Sequence, residues 1–109
     1  MAKVESYQVR VWGGPEGHSA QGRARIQLID GNFAIGWIYF YDEGVSIPND
    51  SKQMNQQYQK EQIHMHLPSS LLESVIDLLR NESPISLAYS TSANRGWLTT
   101  GSEEVGEGE

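Results

Sequence analysis

The chain has no cysteine among its 109 residues, which excludes disulfides, thiolate nucleophiles and thiolate metal sites. It has no apolar run near the ~20 residues that cross a bilayer, so no membrane partner is expected. The glycines of Gly13–Gly22 lack the Gly-Lys-Ser/Thr ending of a phosphate loop and bring Glu16 where phosphate would sit. No nucleophile is spaced with a base and an orienting group, and no calcium-loop pattern occurs. These absences make a non-enzymatic protein without cofactor the expectation. The opening residues, Met-Ala-Lys-Val-Glu-Ser-Tyr, hold no apolar segment of a secretory leader, so a cytoplasmic location is expected.

What is present is ordinary in amount and uneven in place. The apolar fraction is 38% and the charged fraction 20%, the composition of a globular domain, and the length suits one domain. The net charge of −6 is concentrated at one end: Glu103, Glu104, Glu107 and Glu109 fall in the last nine residues, and residues 1–100 carry only −2. The expected organisation is one domain over 1–100, interrupted by a long polar loop at 43–59, and an acidic flexible tail over 101–109.

The strongest local signal is Arg25–Tyr41, two β-favouring runs about Asp30-Gly31. An Asp-Gly centre predicts a type I′ hairpin, with Leu28 facing Phe33, Ile26 facing Ile35 and Ala24 facing Trp37. The second arm is apolar on both faces, so it belongs in the middle of a sheet, and Gly36 within it marks a bulge or a close approach. Alternation predicts further strands at Ser6–Trp12, Lys60–Leu67, Ile85–Tyr89 and Trp97–Thr100. Leu71, Leu72, Val75, Ile76 and Leu79 predict one helix, opened by a Ser70/Glu73 capping box and stopped at Asn81–Pro84. The order β-β-β-β-α-β-β predicts an α+β fold, a curved antiparallel sheet of five or six strands with the helix packed on it. One helix about 10 Å across cannot cover six strands ~4.8 Å apart, so part of the sheet must curl, face water or meet a partner.

Three groups of residues could carry function. Arg10, Arg23 and Arg25 share one face by alternation with Trp12 and Phe40, a mixture that suits a protein interface or single-stranded nucleic acid. His64 and His66 stand on one strand face about 6.6–6.8 Å apart by strand rise. Zinc would need two more ligands, for which only His18, Asp42 and Glu43 are candidates, so the pair is read as solvent-facing and no metal is expected. Trp37, Tyr39 and Tyr41 are read as sheet core. The function expected is a small intracellular interaction module acting through an aromatic sheet face, with protein as partner and a homodimer among the options. The alternatives are a single-stranded nucleic-acid binder, an acidic inhibitor or immunity-type protein that meets a basic enzyme with the polar loop and tail, and an enzyme or metal binder centred on His64 and His66.

Overall fold

A computed structural model of the chain describes residues 2–15 and 22–101. The fold is α+β, as the pattern implied, with eight strands in two sheets and one short helix. The strands are β1 (Ala2–Val4), β2 (Ser6–Val11), β3 (Ala24–Asp30), β4 (Phe33–Tyr41), β5 (Ser51–Asn55), β6 (Lys60–Pro68), β7 (Ile85–Ser90) and β8 (Arg95–Thr100). The helix, α1, spans Leu72–Asn81 after a single 3-10 turn at Ser69–Leu71. Five strands form one sheet in the order β2-β3-β4-β6-β5, and three form a smaller one in the order β1-β7-β8.

The larger sheet differs from the expected meander at one place. β4 and β6 pair in parallel, Trp37 opposite His64 and Tyr39 opposite His66. The cause lies in the segment read as a loop at 43–59, which supplies β5, an edge strand antiparallel to β6. The chain leaves β4, skips one position, lays down β5 and returns through β6 into the gap. A parallel pair needs a connection of a dozen or more residues, and the polar segment is that connection.

The β3–β4 hairpin forms, but its turn and register are displaced from those that Asp30-Gly31 predicts. Asp30 pairs with Phe33, the loop is Gly31-Asn32, and φ is positive at Gly31 alone (+66°), the II′ pattern rather than I′. Ile29 pairs with Ala34 and Leu28 with Gly36, which leaves Ile35 as an extra residue bulged out of β4 beside the glycine. That single extra residue exchanges the faces of the rest of β4, because side chains alternate with a period of two. Ile26 therefore meets Ile38 and Ala24 meets Phe40, while Trp37 and Tyr39 turn to the other side.

The core lies on the Ile38 side. Ala24, Ile26, Leu28, Ile38 and Phe40 have no exposed surface, and Ile63, Met65, Leu79, Ile85 and Leu87 join them. The cover is shared: Leu72, Val75, Ile76 and Leu79 of α1 pack on this cluster, and the smaller sheet contributes Ile85 and Leu87. A Cβ on Gly36 would stand 2.7 Å from Leu87 Cδ2, so the glycine lets the two sheets close on each other. The capping box does not form: Leu71 is the N-cap residue, with no side-chain hydrogen bond, because the 3-10 turn occupies Ser69–Leu71 and carries Ser70 inside it.

Asp50 ties the two sheets together. Its carboxylate accepts hydrogen bonds from the N–H of His66 in β6 and of Gly96 in β8, both at 2.8 Å, and its carbonyl accepts from the Tyr89 hydroxyl. Among the described residues no helix is long and apolar enough to cross a membrane.

Candidate functional site: the outward face of the five-stranded sheet

The face of the larger sheet that points away from the core is built in rows across its strands. One row runs Gln8, Gln27, Trp37, His64 and Ser51, and the next runs Arg10, Arg25, Tyr39 and His66. Neither row contains a carboxylate or a lysine, although the whole protein is acidic. Trp12 continues this side beyond β2, its N–H bonded to the Arg23 carbonyl, and the Arg25 guanidinium lies 5.7 Å from the Trp12 ring centroid.

The rings of β4 and β6 form a continuous ladder. Trp37 stacks on His64 at 5.1 Å between centroids and Tyr39 stacks on His66 at the same distance, with interplanar angles of 13° and 18°. The ladder is cross-braced by hydrogen bonds from Tyr39 Oη to His64 Nδ1 (3.0 Å) and from Tyr41 Oη to His66 Nδ1 (2.9 Å). We assign the phenols as donors, which makes each imidazole the neutral Nε2–H tautomer. Tyr41 is the buried end of the ladder, and Trp37, Tyr39, His64 and His66 are half-buried.

Electrostatics agree with that assignment. Desolvation holds the His64 pKa below the usual imidazole value, and the neighbouring His66 lowers it further. Desolvation also lowers His66, against an opposing pull from Asp50. Tyr39 and Tyr41 are raised by burial, so both keep their protons.

The lowered imidazole pKa values tie the stability of the fold to pH. An imidazole whose native pKa is lowered leaves the unfolded chain binding more protons as pH falls below the ordinary value of about 6.5. Native stability is therefore complete above that value and declines as the solution is acidified from it. Urea midpoints at pH 8 and pH 5 should differ in the native protein and differ less in the His64→Gln, His66→Gln double variant. An equal acid loss in both proteins would remove the histidines as its cause.

The structure gathers some of the residues singled out in the sequence and separates others. Arg10 and Arg25 stand directly opposite each other on this face, with Trp12 beside them. Phe40 does not belong to it, being a fully buried core residue, since the bulge at Ile35 reverses its direction. Arg23 serves as a structural clamp. Its guanidinium binds both Asp42 carboxylate oxygens at 2.9 Å and also donates to the carbonyls of Trp12 and Gly14. It locks the end of β2 to the end of β4, which takes it out of the candidate binding set. Trp37 and Tyr39, read as core, are the missed members of the site. The available signal was their match to the period of His64 and His66, rings with polar tips on both strands.

His64 and His66 are neighbours along one face as their spacing implied, but their partners are rings and hydroxyls. Among the described residues no group of three or more His, Cys, Asp or Glu side chains is placed to hold a metal ion. Asp42 is engaged with Arg23, and His18 lies outside the described residues, as does the acidic tail beyond Gly101. Chemically, the face offers stacked rings, imidazole N–H donors and two guanidinium groups, a set suited to recognition. In comparisons with known proteins, no family model, no curated protein and no solved structure matches this chain.

Proposed function

We propose that the protein is a non-enzymatic binding module that engages a protein partner through the outward face of its five-stranded sheet. The observation that carries this reading is the composition and order of that face: Trp12, Arg10, Arg25, Trp37 and Tyr39, with no acid or lysine in its two central rows. Interface cores are enriched in Trp, Tyr and Arg and depleted in Lys, Glu and Asp. Rings already stacked and hydrogen-bonded to one another lose little rotamer freedom on association, which reduces the cost of binding.

A second reading, single-stranded nucleic acid, is favoured by the two arginines and the aromatic surroundings. It is the weaker of the two because the faces of Trp37 and Tyr39 already lie against imidazoles, leaving edges where bases would stack. The inhibitor reading would use the polar segment, of which Ser51–Asn55 is ordered as the edge strand β5, together with the tail, which lies outside the described residues.

The test compares two baits in lysate of the source organism, the native protein and an Arg25→Glu, Trp37→Ala variant checked for native circular dichroism. A protein recovered by the native bait, resistant to nuclease and at least tenfold depleted from the variant, is the expected result. Recovery of nucleic acid only at low salt selects the second reading. Identical recoveries from both baits would overturn both.

A further inference from the structure

The other side of the larger sheet holds a second candidate site, independent of the outward face. Where the two sheets diverge, a cleft of about 790 Å³ opens between β4, β5 and β6 on one wall and β7 and β8 on the other. Phe33, Ile35, Ile63, Leu87, Tyr89 and Trp97 line it. That volume lies within the range of small-molecule sites.

Exposed apolar surface collects here. Met54 and Trp97 line the cleft yet are 47% and 42% exposed, and Tyr58, 56% exposed, stands edge-on to Phe33 at 5.4 Å between centroids. These are three of the seven large apolar residues that the described chain leaves exposed; two of them line the cleft and the third touches its lining residue Phe33. Exposed apolar side chains gathered around one cleft mark a binding site more often than single scattered ones do.

The rim supplies the polar specificity. Lys52 is already paired with Glu61 at 3.0 Å. Lys60 forms no ion pair among the described residues, and its ammonium lies 5.2 Å from the Phe33 ring centroid, at the mouth of the cleft. Asp30 is the remaining rim acid. An apolar interior with a cation at its entrance complements a molecule with an apolar body and one anionic head.

We infer that this cleft binds a small amphipathic carboxylate, its apolar body against Leu87, Ile63 and Trp97 and its carboxylate on Lys60. No covalent step is involved. The chemistry of the head is what Lys60 selects, and the length of the body is what the cleft limits.

The experiment uses the intact protein labelled with 15N and three probes of equal chain length, decanoate, decanol and decylamine, the ionic ones below their micellar concentrations and decanol below its solubility limit. The indole resonance of Trp97, assigned from its loss in a Trp97→Phe variant, is followed together with backbone amides of β7 and β8. Decanoate is expected to move these signals saturably and to bind at least tenfold more tightly than decylamine. The exposed substitution Lys60→Glu should weaken decanoate at least tenfold and leave decanol unchanged, and Lys60→Gln should fall between. No saturable shift with decanoate, or equal affinity for acid and amine, would overturn the assignment. So would shifts confined to the Trp12 and Trp37 indoles, which belong to the opposite face.

Discussion

Phe40→Ala is expected to destabilise the domain by roughly 3–5 kcal/mol, the range for emptying a buried phenylalanine site. Phe40 has no exposed surface, sits opposite Ala24 in β3 and Leu67 in β6, and lies in the core shared with α1 and the smaller sheet. Nothing in its surroundings is free to collapse around the loss, because the sheet fixes the backbone on both sides. The melting temperature should fall by roughly 12 °C or more, at about 4 °C or more per kcal/mol for a domain of this size. The companion variant Arg10→Ala, on an exposed edge strand, should change stability by no more than about 0.5 kcal/mol. A mild effect at Phe40 would mean that the bulge is absent, that β4 is reversed and that Phe40 faces outward, as simple alternation suggests.

Asp50→Ala is expected to cost roughly 3–6 kcal/mol, since charge-assisted hydrogen bonds contribute about 1.5–3 kcal/mol each and two are lost. The carboxylate joins His66 of β6 to Gly96 of β8, two strands that belong to different sheets. Removing it leaves two backbone donors without their acceptor at the seam between the sheets. Asp50→Asn keeps one oxygen and brings an N–H₂ group against the second donor, so it should lose about half as much. Urea unfolding followed by far-ultraviolet circular dichroism measures both, with the slope unchanged if only stability is altered. Equal midpoints for native and Asp50→Ala protein would contradict the seam.

How much of this was legible in the sequence depends on the range of the interactions. The hairpin, the helix and the alternating strands rest on neighbours in the chain, and they are found where the residues indicated. The type of turn and the register were not, because Gly31-Asn32 and Asp30-Gly31 are both acceptable turn centres, and the choice between them is made by pairing. One bulged residue at Ile35 then decides which of Trp37 and Phe40 is inside. Gly36 hinted at it, but no local rule says to which side of a glycine the extra residue falls.

The long-range features were out of reach for the same reason. Asp50 sits in a polar stretch whose sequence reads as loop, and its partners lie 16 and 46 residues away. The weak strand signal of Ser51–Asn55, rich in polar side chains, suits an edge strand, and only its pairing with β6 reveals it. The parallel pairing of β4 with β6 brings two histidines among three aromatic rings, which neither segment announces alone. Arg10, Arg25 and Trp12 are recognisable because alternation within one strand and its hairpin neighbour suffices to align them.

The outward face rests on the ring ladder, and the ladder is tested most directly by its imidazoles. Nitrogen-15 shifts of the His64 and His66 rings, followed against pH in the intact protein, report tautomer and protonation together. The expected result is an unprotonated, hydrogen-bonded Nδ1 and a protonated Nε2 in both rings at neutral pH, with both titrating below the usual value of about 6.5. Tyr39→Phe should release only the His64 Nδ1, and Tyr41→Phe only that of His66. Rings that titrate at or above the usual value, or that ignore the loss of the tyrosine hydroxyls, would contradict the ladder and the binding face built on it.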